Sequence, residues 1–256
     1  MDARSLPTLL LATLLLATPL AAEPLHHVTT LGSPTEHAIF LPEGTTLLEA
    51  GYGIGHRRSA QLHTLHGRAS LTLAEQLDVR LGWDVFGISL PTSGPATYGV
   101  GDLYLQGRFG LPVDRRETHR LALLATFRPG IGQAPVSVDG VLLGGGAVYT
   151  LQFPDFRVDT QATLDIEIGG QHPRLTLPLS GRISYALPNA ARVLLFAELM
   201  TTVRAANQTD VGAGIHLGTR FAVSPDLALG LSIGGALGGS LPTAALALTG
   251  AYTFGP

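Results

Sequence analysis

The 256-residue chain contains no cysteine and no lysine, so all 16 of its basic residues are arginine. Absence of cysteine excludes a disulfide framework and thiolate metal sites. Charged residues make up 14% of the chain, low for a protein surrounded by water. The formal net charge is -3 and no basic run occurs, which argues against a nucleic-acid partner. After the N-terminus no stretch offers ~20 consecutive apolar residues, so no transmembrane helix is expected in the mature chain. What the chain does have is glycine, 32 of them, and 45% hydrophobic residues.

The first residues read as a secretory signal: Arg4 as positive n-region, Leu6 to Ala17 as apolar core, and Pro19-Leu20-Ala21-Ala22 as a small-residue cleavage zone. The expected division is a signal peptide over 1–22, a periplasmic segment or plug over 23–44, and a single β domain over 45–256.

That domain is written in period two. From Phe156 to Ile168, Arg157, Asp159, Gln161, Thr163, Asp165 and Glu167 share one phase, while Phe156, Val158, Ala162, Leu164, Ile166 and Ile168 share the other. Successive side chains of a strand point to opposite faces, so the segment has one polar and one apolar face. The polar face cannot pack into a dry core, because unpaired buried charge is very costly. The same pattern predicts strands near 45–56, 60–73, 77–88, 98–111, 119–129, 140–152, 156–168, 174–187, 191–203, 209–222, 226–238 and 243–254. The sixth, ninth and twelfth alternate less cleanly. Such strands exceed the globular mode of ~5–6 residues and match the ~9–11 tilted residues that cross a bilayer.

Short turns with Pro, Asp and Asn alternate with longer links such as 89–97 and 130–139, the asymmetry of an outer-membrane barrel. An even strand number puts both termini at the short-turn, periplasmic end. A soluble sandwich or barrel also alternates, with its apolar face inward. Two features weigh against it. A closed sheet of about twelve strands is too wide for apolar side chains to fill. Phe109, Tyr149, Phe156, Tyr185, Phe221, Tyr252 and Phe254 also fall in the apolar phase at short-turn ends, as a bilayer interface selects. The expected fold is therefore an all-β, closed antiparallel transmembrane barrel of about twelve strands in the cell outer membrane, with lipid as its surroundings.

The polar phase would line the lumen. It places there Glu49, Arg68, Asp78, Arg80, Asp84, Asp102, Arg108, Arg157, Asp159, Asp165, Glu167, Arg182, Glu198, Asp210, His216 and Arg220, together with Arg120, Arg128, Arg174 and Arg192. Acids and arginines nearly balance. Either they pair across strands and brace the wall, or some form a polar constriction that selects solutes. Lumen glycines (Gly51, Gly53, Gly55, Gly212, Gly214) would let the backbone bend or bulky neighbours fit.

Ile39 to Arg57 carries Pro42, Gly44, Glu49, Gly51 and Tyr52. Tyr98 to Pro112 carries Gly99, Gly101, Asp102, Leu103 and Arg108. These two segments resemble the outer-membrane proteins labelled "MetA-pathway of phenol degradation" or "transporter". The resemblance implies an outer-membrane β-barrel with a transport role in an aromatic-catabolism context.

Catalytic and cofactor chemistry is not expected. His26-His27 lacks a nearby third ligand, and Ser59, Ser70, Ser180, Ser184 and Ser232 sit in no nucleophile motif. Gly144-Gly145-Gly146 precedes no Lys-Ser/Thr and is no phosphate loop. The functional expectation is a channel or transporter for a small-molecule solute, with no cofactor and no enzymatic activity. A structural or closed barrel is the alternative, and a lipid-modifying enzyme a more distant one.

Overall fold

A computed structural model describes residues 36–57, 59–113, 118–138, 140–169, 173–187, 192–205, 209–238 and 241–255. The expected signal peptide, and with it His26-His27, lies outside the described residues.

The described chain is entirely β. The strands are β1 (Thr46–Arg57), β2 (Ala60–Ala74), β3 (Leu77–Pro91), β4 (Thr97–Gly99), β5 (Leu103–Leu111), β6 (His119–Pro129) and β7 (Val141–Gln152). They continue with β8 (Phe156–Ile168), β9 (Arg174–Ala186), β10 (Val193–Ala205), β11 (Thr209–Ala222), β12 (Leu227–Gly238) and β13 (Ala244–Phe254). Each long strand pairs antiparallel with its neighbours, and β1 closes on β13 from Thr46↔Phe254 to His56↔Ala244. The result is a closed barrel of twelve strands, with β4 as a short addition on β3. Closure leaves no unpaired edge, which a sheet in hydrocarbon could not tolerate.

One expected strand is divided. The 98–111 segment becomes β4 and β5, parted at Val100-Gly101-Asp102. The ladder is replaced there by a local exchange in which Gly101 N–H donates to the Asp84 carbonyl and Asp84 N–H to that of Asp102. Opposite this break, Val85 is the extra residue of a β-bulge between Leu65↔Phe86 and His66↔Asp84. A bulge re-aims side chains and often marks a barrel rim.

The alternation resolves into two surfaces. Leu48, Leu81, Trp83, Leu105, Phe109, Leu123, Phe127, Leu164, Ile183, Leu199, Leu217, Leu231 and Leu248 are exposed on the outer wall. Phe156, Tyr185, Tyr252 and Phe254 join them near the ends that carry the termini. The buried residues are instead largely polar or charged, and the bulkiest include Arg157, Arg182 and Arg220. This is the inverse of a water-soluble core and is the partition a bilayer imposes.

The less regular strands have physical causes. Val148 on β7, and Leu194 and Phe196 on β10, point inward and are buried. On β13 the inward positions are small: Ala245, Ala247, Thr249 and Ala251. Several inward glycines are seats for rings. A Cβ at Gly82 would overlap Tyr104, at Gly218 Phe196, and at Gly234 His216. Gly212 and Gly214 lie under Leu241, and Gly214 also under Met200.

Candidate functional site: the barrel lumen

Every predicted lumen residue lies on the inward phase. Glu49, Arg68, Asp78, Arg80, Asp102, Arg108, Arg157, Asp159, Glu167, Arg182, Glu198 and Arg220 are buried; Asp84, Asp165, Asp210 and His216 are half-buried. Strand register brings many of them together. Glu49 and Arg68 are direct partners across β1 and β2 and form an ion pair. Asp78 and Arg108 do the same across β3 and β5. On β8 and β9, Asp159 receives Arg182 Nη2 at 2.8 Å and its strand neighbour Arg157 Nε at 2.9 Å. Glu167 meets Arg174 at 3.2 Å. Each buried guanidinium here stays tolerable only while its carboxylate is there.

A second set of partners comes from outside the strands. The chain from Glu36 to Leu41, which precedes β1, lies inside the barrel near the terminus-bearing end. The Glu36 carboxylate bridges Arg68 (2.8 Å) and Arg80 (2.6 Å). The Glu36 N–H donates to Gln161 Oε1 and the Ala38 N–H to Thr150 Oγ1. Thr150 Oγ1 in turn donates to Asp159 at 2.8 Å. Arg108 donates to the carbonyls of His37 and Ile39 and lies 4.3 Å from the centre of the Phe40 ring. Ala38 and Phe40 pack on Ala122, Leu124 and Val148, which accounts for the apolar inward patch on β6 and β7.

Burial tends to raise the carboxyl pKa of Glu36. The guanidiniums of Arg80, Arg68 and Arg108 outweigh it and hold the group well below the usual carboxylate range. His37 moves the other way. Burial, then the charges of Arg157, Arg108 and Arg182, keep its imidazole neutral. Outside this seat, toward the terminus-bearing end, lies a vestibule of about 640 Å3 lined by Phe40, Glu43, Gln76, Leu111 and Arg120.

The opposite end has its own inward element, the link 130–138 between β6 and β7. Asp102, wholly buried, accepts from Gly132 N–H (2.7 Å), Val138 N–H (2.8 Å), Ser137 Oγ (2.8 Å) and Arg128 Nε (2.9 Å). Arg128 also pairs with Asp84 at 2.6 Å, and Asp84 with His66 Nδ1 at 2.7 Å.

Sequence reasoning placed Asp102 and Arg128 in the lumen but gave no partners outside the wall. It did not single out Glu36, Thr150 or Ser137. The available signal was the glycine clustering on both sides of the contact, Gly99 and Gly101 against Gly130 and Gly132. Among the described residues no cluster of His, Cys, Asp or Glu is arranged to hold a metal ion.

No protein-family model matches the sequence, and no curated protein does. Solved structures do match in fold. The COG4313 outer membrane channel from Pseudomonas putida F1 aligns with a TM-score of 0.67 at 15% identity, over 85% of this chain and 98% of that one. The NanC porin aligns with a TM-score of 0.57 at 9% identity, over 81% and 98%. The KdgM porin aligns at 0.53 and 9%, over 81% and 99%. The architecture is that of outer-membrane channels and porins. At these identities the likeness is one of fold.

Proposed function

We propose that the protein is an outer-membrane channel or transporter for small molecules. One observation carries this reading: the wall is closed, apolar outside and charged inside. An apolar exterior on a closed barrel needs lipid, and a charged interior needs water or a polar solute. The similarity in fold to outer-membrane channels supports it. The short segments resembling the "MetA-pathway of phenol degradation" proteins are compatible with a transport role. The aromatic-catabolism label rests on that resemblance alone.

In this reading the charge pairs are chiefly braces, and the segment 36–41 acts as a plug at the periplasmic end. Near-balance of acids and arginines predicts weak ion selectivity. A closed structural barrel is favoured over an open one by a single feature, the grip of Arg108 on the docked segment. Single-channel conductance in planar bilayers, with and without residues 23–44, separates the two. A step that grows on removal of the segment supports a plugged channel. Zero conductance in both forms, from barrels that show heat-modifiable migration, leaves the structural reading.

A further inference from the structure

The link 130–138 is held inside the end of the barrel opposite the termini. A Cβ placed on Gly87, which faces inward, would lie 3.2 Å from Cβ of Val136 and overlap a Val136 methyl. One placed on Gly99 would overlap the Ala134 carbonyl, 2.6 Å from that of Gln133. The link therefore lies across the inner face of β3 and β4. Its own Gly132 sits so close to Val100 and Gly101 that a Cβ there would stand 2.6 Å from their backbone. Glycine on both sides of the contact lets two backbones touch.

Asp102 holds this seat. It satisfies three donors of the link (two N–H groups and the Ser137 hydroxyl) and the guanidinium of Arg128 with its two oxygens. Arg128 adds a bond to the Val136 carbonyl at 2.6 Å, and Gln133 N–H donates to the Val100 carbonyl at 2.7 Å. A carboxylate that accepts several charge-assisted or backbone hydrogen bonds fixes its donors more firmly than neutral contacts do. The strand interruption at 100–102 has a purpose in this light: the Val100 carbonyl is left to accept from Gln133 N–H, and the Asp102 side chain addresses the link while its own carbonyl accepts from Asp84 N–H.

We propose that Asp102 is the latch of an inward-folded link, and that residues 130–138 form the constriction setting the size limit at the extracellular mouth. Asp102 is a positioning residue and acts through the link. The inference rests on the channel reading for its consequence, and on geometry alone for the latch.

The test uses the full-length barrel, in which an added cysteine is the sole thiol. Val136→Cys reports the seat through its reaction with a membrane-impermeant maleimide. Asp102→Ala should speed that reaction about tenfold, as local opening frees the link. Gly132→Ala, which alters the link and leaves the carboxylate intact, should act in the same direction. It carries the test if Asp102→Ala does not fold. In planar bilayers and in liposome swelling with neutral sugars, both variants should raise conductance about twofold or more and admit larger sugars. Oxidation of Gly87→Cys with Val136→Cys in the Asp102→Ala background should restore the original limit, since the two Cβ positions are near disulfide range.

Unchanged labelling in folded variants overturns the latch. Faster labelling of a conducting barrel whose conductance and size limit do not change overturns the constriction. Faster labelling of a barrel that never conducts supports the latch and removes the channel reading instead.

Discussion

The two ends of the lumen solve one problem with opposite charges. At the terminus-bearing end an arginine, Arg108, donates to two carbonyls of an extended segment, those of His37 and Ile39. At the other end a carboxylate, Asp102, accepts from two N–H groups of a folded link, those of Gly132 and Val138. Backbone inside a barrel must have its polar groups satisfied. Each end also answers the other group, with Glu36 and Ala38 N–H donating to Gln161 and Thr150 and Arg128 donating to the Val136 carbonyl, so the ends differ in which ion holds two backbone groups at once. The seats differ as well. The segment rests on an apolar patch of Ala122, Leu124 and Val148, whereas the link rests on glycines. Apolar contact tolerates sliding; a backbone-on-glycine contact admits one position.

The severest way to break the first end is to remove its shared anion. Asp159 holds Arg157 and Arg182 and receives Thr150, which supports Ala38. Asp159→Ala leaves two buried guanidiniums short of their carboxylate and should cost about 3–5 kcal/mol, read as a lowered urea midpoint of the reconstituted barrel. An unchanged midpoint would mean that water reaches this site freely.

Arg108→Ala should be milder for stability, about 2–3 kcal/mol from lost charge-assisted bonds. Its larger signature is functional: the segment loses its two carbonyl anchors, and conductance should approach that of the form lacking residues 23–44. A variant still conducting like the parent would assign the grip to Arg68 and Arg80.

Packing separates the barrel wall from both ends. Gly82→Ala drives a methyl into the Tyr104 ring and should cost about 1–3 kcal/mol by overpacking. Size cutoff in liposome swelling should be untouched, because the Gly82–Tyr104 pair lies in the β3–β5 ladder whereas the link's close contacts are with Gly87, Gly99 and Gly101. A changed cutoff would make Tyr104 part of the constriction.

The smallest expected effect is of pH. The docked imidazole of His37 is kept neutral, so its contribution to docking is full above about 6.5 and is lost as pH falls below that value. The docked carboxyl of Glu36 is depressed, so its contribution is present above about 4.5 and is lost as pH falls further. Both act in one direction. Conductance should rise modestly between pH 7.5 and 5.5, and more below 4.5. The rise should disappear when residues 23–44 are absent; a rise that persists would move the titrating group into the wall.

The wall was legible in the sequence because strand alternation needs only the identity of neighbours. The charge sets of β8, β9 and β11 show it plainly. The inward elements were far less legible for the opposite reason: a plug was one of two readings for 23–44 and named no contact, and the link carried only its glycines. Nothing local in Glu36-His37-Ala38-Ile39 marks it as a lumen segment, since its partners stand as far away as Gln161. The link 130–138 reads as an ordinary exposed loop of glycine, proline and serine. Only its seat, assembled from β3, β4 and Asp102, turns it inward. Asp102 was assigned to the lumen phase as one charge among many, and to the Gly99-x-Gly101-Asp102-Leu103 run, with no partner named for it. The break in its strand, which singles it out, depends on Asp84 and the bulge at Val85.

The rings seated on glycines carry a consequence for assembly. Tyr104 faces Gly82, Phe196 faces Gly218, and His216 faces Gly234 as direct cross-strand partners. A one-residue slip of any of these pairs would turn an apolar face into the lumen. A two-residue slip keeps the faces but moves each ring off its glycine. Tyr104 would then meet Arg80 or Asp84, Phe196 would meet His216 or Arg220, and His216 would meet Ser232 or Ala236. Every one of these has a Cβ where the ring must lie. Three pairs of a flat ring and a bare backbone thus check the alignment of β3 with β5, of β10 with β11 and of β11 with β12.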